Sequence, residues 1–156
     1  MRKLDLVVAL LVVVALAYAL LGRGRHASVS AVLADPVRTP GVLNPAVTQA
    51  TIRSTICVHG WTATVRPPTS YTNGLKQQQM PEYGETGSLS AFQEDHLISL
   101  ELGGSPTDPR NLWPEPYPRA GNVDKIENEL NSKVCSGTLT LAEAQQDEST
   151  LKHDYG

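Results

Sequence analysis

The sequence predicts an α+β protein in which two short strands and a helix form a ββα unit between flanking helices. Two apolar stretches within residues 91–113 are separated by a Gly-Gly-Ser-Pro turn at 103–106, which predicts a pair of strands. Apolar residues at helical spacing follow up to residue 135. At the N-terminus, residues 6–21 form an unbroken apolar run, typical of a signal peptide or a membrane anchor.

The N-terminal run predicts that the rest of the chain is exported. Arg2 and Lys3 precede it, as in the positively charged start of a signal peptide. As a helix the run is about 24 Å long, against about 30 Å of hydrocarbon in a bilayer, so a cleaved signal and an uncleaved anchor both stay open. We therefore divide the chain into a signal peptide or membrane anchor (residues 1–27), a linker (28–43) and one extracytoplasmic domain (44–156).

The exported part of the chain is acidic. Without residues 1–34 it carries nine basic and fifteen acidic side chains, a net charge of −6. This charge excludes a protein that binds nucleic acid through an overall positive surface, so phosphate must be recognised by a local patch or a bound cation. The candidate phosphate contacts are Arg110 and Lys125, together with Arg66 and Arg119.

Export also bears on the two cysteines, Cys57 and Cys135. An oxidising compartment and an even number of cysteines favour a disulfide between them. It would close a loop of 78 residues. On the chain-entropy model, such a loop contributes about 4 kcal/mol of stability. The competing interpretation is a metal site that uses Cys57 and His59, but no second close pair of ligands accompanies Cys135.

Two helices and a strand are expected before the ββα unit. Asn44 followed by Pro45 is the pattern of an N-cap and a first helical position, which predicts a short helix to about residue 55. Partial alternation of apolar residues predicts a strand over 57–65. A second helix is expected over 70–80.

The ββα unit is expected over residues 91–135. Its first strand is predicted at 91–102 and its second at 111–113, where Pro114 ends it. Asn122 is the expected N-cap of the helix, and Gly137 suits the end of that helix. A last helix begins with a capping box over residues 140–143, which read Thr-Leu-Ala-Glu.

The most informative motifs lie within this unit. They are EDHLISLELGG at residues 94–104, DPRNLWP at 108–114 and NVDK at 122–125. An Asp-His pair, a Gly-Gly pair and an Asn-Leu pair at these spacings resemble the HNH endonucleases, members of the ββα-metal (His-Me finger) nucleases. The flanking sequences look similar to a group of small exported bacterial proteins with an HNH-like core, although Ser99 stands where that group usually has proline.

The residue types fit the hydrolysis of a phosphodiester bond. This reaction needs an activated water molecule and neutralisation of charge at the phosphate. His96, with an imidazole that titrates near neutral pH, suits the general base, and Asp95 offers a carboxylate to a divalent cation. The resemblance implies that Asn111 holds the loop of His96 through its amide and that Asn122 is the second metal ligand. Oxygen ligands favour Mg²⁺ or Mn²⁺ over Zn²⁺.

One geometric requirement accompanies this interpretation. Asp95 and His96 are neighbours, and a regular strand directs successive side chains to opposite faces. Both can reach one phosphate only if the strand begins or bulges at this point.

The resemblance implies an exported, metal-dependent endonuclease that acts on DNA, with RNA as a second candidate substrate. Little sequence specificity is expected, because the chain carries no second DNA-reading module. The alternative is a non-catalytic exported binding or scaffold domain that keeps the HNH-like fold. The acidic charge and the second role of Asn122 as a helix cap favour this alternative, whereas the intact Asp95-His96 pair and Asn111 favour the enzyme.

Overall fold

A two-stranded antiparallel sheet and four helices are found in the part of the chain that the structure, a computed structural model, describes, residues 33–155. The predicted signal or anchor at residues 6–21 lies outside these residues and stays a prediction. None of the helices within 33–155 combines the length and the apolar character that crossing a bilayer requires.

The order of strands and helices matches the predicted α+β class. The elements are α1 (Trp61–Val65), α2 (Thr69–Glu82), β1 (Phe92–His96), β2 (Leu112–Pro116), α3 (Arg119–Ser136) and α4 (Leu141–Asp154). β1, β2 and α3 follow one another in the strand, strand, helix order that the sequence predicts. The capping box of α4 is present, with Thr140 and Glu143 each bonded to the other's backbone, and Gly137 ends α3 in the left-handed conformation, φ +82°.

Strand β2 continues through the two prolines that were expected to end it. The N–H groups of Leu97 and Tyr117 donate across the sheet just beyond its two ends. Because hydrogen-bonded and non-bonded pairs alternate along an antiparallel ladder, Pro114 and Pro116 fall at the non-bonded positions. There a missing N–H costs no ladder bond, so the prediction of a strand limited to 111–113 is wrong.

Strand β1 is shorter than predicted, because it ends at His96 instead of continuing to residue 102. The apolar residues that follow do not alternate between two faces. Leu97, Ile98, Leu100 and Leu102 are all 4% exposed or less, in a buried loop that contains a 3₁₀ turn. Their hydrophobicity therefore reflects a loop packed inside the domain and not one face of a strand.

The two elements predicted over residues 45–65 are also wrong. Only a 3₁₀ turn, Ile52–Ser54, stands where the first helix was expected, and α1 replaces the predicted strand. The Thr51 hydroxyl accepts a hydrogen bond from the N–H of Thr48 and donates one to the carbonyl of Ala46. Such local side-chain bonds compete with the regular backbone bonds of a helix.

The described part of the predicted linker, residues 33–43, packs against the domain. Thr39 is 1% exposed, and Leu43 forms an isolated β-bridge with Gly104. Ala34 is also buried, and its N–H donates to the carbonyl of Lys152 in α4. The packed domain therefore begins before residue 44.

The main core lies between the 3₁₀ turn at 52–54, the loop after β1, α3 and α4. Its buried apolar side chains are Val47, Ile52, Ile56, Ile98, Leu102, Leu130, Val134, Leu141 and Ala144. At the edge of this core, Cys57 and Cys135 form the predicted disulfide, with their Cα atoms 5.5 Å apart. The disulfide links the segment before α1 to the last turn of α3.

Removal of the disulfide should destabilise the domain. The double variant Cys57→Ser/Cys135→Ser frees a 78-residue loop. Its free energy of unfolding should fall by about 4 kcal/mol, because the unfolded chain regains the entropy of that loop. Urea unfolding of the two proteins under the same conditions measures the difference. A difference below about 1 kcal/mol would contradict a stabilising role for this bond.

Candidate active site

A cavity of about 440 Å³ lies beside β1, and Asp95 and His96 are in its lining. Residues 93–96 of β1 line one wall of the cavity. Asp124, Glu127 and Asn128 of α3 line another wall, and Arg66, before α2, is a basic residue in the lining. Asp95 and His96 both line the cavity, although β1 neither begins nor bulges there as expected: both residues pair regularly with β2, and His96 is the last residue of the strand.

Asn111 holds the loop that leaves β1 immediately after His96. Its side chain is fully buried, its Oδ1 accepts the N–H of Ile98 at 3.0 Å, and its Nδ2 donates to the carbonyls of Ile98 and Ser105, both at 3.0 Å. A Cβ atom on Gly104 would lie 1.7 Å from the Ile98 carbonyl oxygen, so this approach requires glycine. The Gly-Gly and Asn motifs thus serve one purpose, which is to fix the loop beside the histidine.

His96 has the protonation state that a general base requires. The ring is 6% exposed, and Nε2 lies 3.2 Å from the carbonyl oxygen of Pro106. A carbonyl only accepts, so Nε2 carries the hydrogen and Nδ1 keeps its lone pair. Burial lowers the pKa of His96 and outweighs the opposite effect of Asp95. The imidazole is therefore neutral at neutral pH.

The ammonium group of Lys152 in α4 is buried and contacts the residues of the site. Its Nζ donates to Asp95 Oδ2 at 2.8 Å, to Glu127 Oε1 at 2.6 Å and to the backbone carbonyl of His96 at 2.5 Å. Glu148 Oε1 lies 3.2 Å away. Both oxygens of Glu148 also accept the N–H of Ser99 at 3.0 Å. Lys152 thus joins β1, α3 and α4 at one point.

The charges of this cluster follow from burial and from the ammonium group. Burial acts to raise the pKa of Asp95, but Lys152 outweighs it and the pKa of Asp95 is lowered. Burial opposes the charge of Lys152, yet the three carboxyl groups hold its pKa well above the ordinary value. Burial raises the pKa of Glu127 and of Glu148. Of the three carboxyl groups around the ammonium, Asp95 is therefore the one whose pKa lies below its ordinary value.

Three carboxyl groups on the cavity side are close enough to hold a cation. Asp95, Asp124 and Glu127 each offer one oxygen atom, and these atoms lie within 4.8 Å of one another. Asp124 and Glu127 share one face of α3 because they are three residues apart. The Gln93 amide lies between two of the groups, donating to Asp95 Oδ1 at 3.1 Å and to Asp124 Oδ1 at 3.4 Å. An all-oxygen set of this kind suits Mg²⁺ or Mn²⁺.

Glu94 is the one carboxyl group of the cavity wall that is buried without a hydrogen bond. It is 9% exposed, and neither of its side-chain oxygens has a partner within residues 33–155. Burial raises its pKa to about 8, with a small further rise from Asp95 and an opposing effect from Lys76. A buried carboxyl group without a partner is unusual and indicates that a ligand of the cavity can supply one.

Three of the predicted site residues lie away from the cavity. Asn122, Arg110 and Lys125 are exposed, and none lines it. Helix α3 begins at Arg119, so Asn122 is neither its N-cap nor on the cavity face. It lies about 200° around the helix from Asp124. The guanidinium of Arg110 is bonded to Asp108 at 2.7 and 3.0 Å. Among the four candidate phosphate contacts, only Arg66 lines the cavity.

Sequence reasoning missed Glu127 of α3 and the contribution of the last helix. A signal for Lys152 is present, because Leu141, Ala144, Glu148 and Lys152 fall at helical spacing and are all buried. Two charged residues that continue an apolar face indicate a buried ion pair.

Comparison with known proteins identifies no relative. No model of a protein family matches the chain, and neither a curated protein nor a solved structure matches it.

Glu94 predicts a characteristic dependence of stability on pH when a chelator keeps cations away. Its pKa of about 8 in the folded state exceeds the ordinary value of 4.5, so the folded protein binds the extra proton between these two pH values. Stability therefore falls as pH rises through this window, by up to about 1 kcal/mol per pH unit. The variant Glu94→Gln lacks this titration. Urea unfolding between pH 5 and 8 should show wild type losing stability relative to Glu94→Gln, and parallel curves would contradict the assignment.

Proposed function

We propose that the protein is an exported, metal-dependent endonuclease that hydrolyses phosphodiester bonds in DNA, with RNA as a second candidate substrate. The observation that carries the proposal is the meeting of a neutral, buried imidazole and three carboxyl groups in one cavity. These groups belong to His96, Asp95, Asp124 and Glu127. The resemblance of the Asp-His, Gly-Gly and Asn-Leu motifs to HNH endonucleases supports the same reaction.

His96 is the general base of the proposed reaction. Its Nδ1 takes a proton from the water molecule that attacks phosphorus, and the resulting imidazolium keeps the bond from Nε2–H to the Pro106 carbonyl. Asn111 does not touch the substrate. It keeps the loop after His96 in place, so that the base stays at the cavity.

The donor set of the cavity fits a divalent cation of the Mg²⁺ or Mn²⁺ type. Asp95, Asp124 and Glu127 are the proposed ligands, so Asp124 takes the role first expected of Asn122. The unpartnered carboxyl group of Glu94 supports the presence of a cation in the same cavity. When bound, the cation neutralises charge on the scissile phosphate and the leaving oxygen. The Gln93 amide must then leave its place between Asp95 and Asp124.

The net charge of the chain and its expected location support the proposed function. The acidic chain binds a polyanion only through local positive charge, which Arg66 and the cation supply here. The disulfide and the N-terminal apolar run support an oxidising, extracytoplasmic location. The run is either cleaved as a signal peptide or anchors the protein to a membrane. Recognition is expected to be largely independent of base sequence.

A non-catalytic binding or scaffold domain is the second candidate. One observation favours it, which is that Asp95 and Glu127 already pair with Lys152. Carboxyl groups that are satisfied internally do not need a metal ion to be stable. A domain of this kind would keep the fold and the cavity but would cleave no phosphodiester bond.

Cleavage of supercoiled plasmid in the presence of Mg²⁺ or Mn²⁺ separates the two candidates. Wild type should nick the plasmid, and a chelator should stop the reaction. His96→Ala should be slower by about 10²–10⁴-fold, because the general base is lost. The control is His59→Ala, which removes an exposed histidine outside this cavity and should cleave like wild type. An inactive wild type, or equal rates for wild type and His96→Ala, would contradict the proposal.

A further inference from the structure

The two oxygens of the Asp95 carboxylate face different partners. Oδ2 accepts from the Lys152 ammonium at 2.8 Å, and Oδ1 accepts from the Gln93 amide, which also reaches Asp124. Oδ2 is therefore turned toward the buried cluster and Oδ1 toward the carboxyl groups of the cavity. Asp95 and Glu127 are the groups that the buried ammonium and the proposed cation site have in common.

The surroundings of Lys152 are those of a bound cation. Its Nζ lies within 3.2 Å of one oxygen from each of three acidic side chains and of the backbone carbonyl oxygen of His96. Four oxygens thus surround one positive charge on a fully buried side chain, and oxygen is the type of ligand that hard metal ions prefer. The ammonium group fills this place permanently because it belongs to the chain.

We propose that Lys152 is a built-in cation of the carboxylate cluster, and that a divalent cation binds beside it without displacing it. Lys152 acts as a positioning residue, since it holds Asp95 Oδ2 and the His96 carbonyl and so leaves Asp95 Oδ1 turned toward the cavity. This inference extends the proposed function, because it specifies which positive charge the site supplies itself. The unpartnered oxygens of Glu94 line the cavity, whereas Lys152 does not, so the buried carboxyl group that lacks a hydrogen-bond partner lies on the cavity side.

Removal of the ammonium should therefore create one additional cation site. In Lys152→Met, the oxygens of Asp95, Glu127 and Glu148 that faced Nζ surround an empty place of suitable size and charge. Calorimetric titration with Mn²⁺ should count one more ion per chain in this variant than in wild type. Mn²⁺ at about 100 times its Kd should also raise the Tm of the variant by several degrees more than that of wild type.

Two matched variants control for charge and folding. Lys133→Met removes a half-exposed lysine that pairs with Glu129 on α3, and it should bind the same number of ions as wild type. Lys152→Met/Glu148→Gln removes the ammonium together with one of the carboxyl groups that face it, so it should gain no ion. Equal stoichiometry in Lys152→Met and wild type would overturn the proposal.

Wild-type protein gives an independent test if Lys152→Met does not fold. Lysine side chains are acetylated with and without Mn²⁺, and peptide mass spectrometry then reports which ones reacted. Lys152 should stay unmodified in both conditions because the ammonium keeps its place. Reaction of Lys152 only when Mn²⁺ is present would mean that the metal displaces it and would overturn the proposal. Neither experiment depends on nuclease activity, so an inactive wild type contradicts the proposed function alone.

Discussion

The buried contact between Lys152 and the acidic cluster is the interaction on which the rest of the site depends. It brings together the end of β1, one face of α3 and the last helix. A buried ion pair of this kind adds little net stability, because the cost of removing both charges from water is close to the energy of their attraction. Loss of one partner is far more costly, by about 3–5 kcal/mol. The contact therefore fixes geometry, and each of the three elements is held in register with the other two.

The histidine is fixed from the other side by the loop that follows it. Asn111 ties this loop to itself through three hydrogen bonds, and Gly104 allows the close approach that those bonds need. The carbonyl of Pro106 then selects the tautomer of His96. Lys152 and Asn111 thus act on the two sides of the same short segment, and a neutral base beside a group of carboxylates is the result. Such preorganisation is what a hydrolytic site requires.

Sequence patterns predicted the fold best where the local structure depends on neighbouring residues. The capping box at Thr140, the glycine at 137 and the helix over 70–80 depend on neighbouring residues, and all three are present. The predictions of a helix at 45–55 and of a strand at 57–65 are wrong, because side-chain hydrogen bonds and packing against the core override weak local preferences there. The predicted length of β1 is wrong for a related reason, since the apolar residues after His96 belong to a buried loop.

The candidate site was predictable only where its residues are close in sequence. Asp95 and His96 lie in one motif and Asn111 lies in the next, and these residues line the cavity or hold its loop. Asp124, Glu127 and Lys152 come from helices whose rotation about their axes is set by core packing. The sequence motifs do not show this rotation. Helix α3 starts four residues earlier than expected, Asn122 is exposed within it, and Asp124 lies at the cavity.

The rate of Mn²⁺-dependent DNA cleavage by the double variant His96→Ala/Asp124→Ala tests most directly whether the base and the carboxylates act as one site. Groups that serve the same step lose their effect together, so the double variant should be about as slow as the slower single variant. Losses that multiply would mean that the two residues act independently. Such a result, or a wild type that cleaves no DNA, would contradict the account.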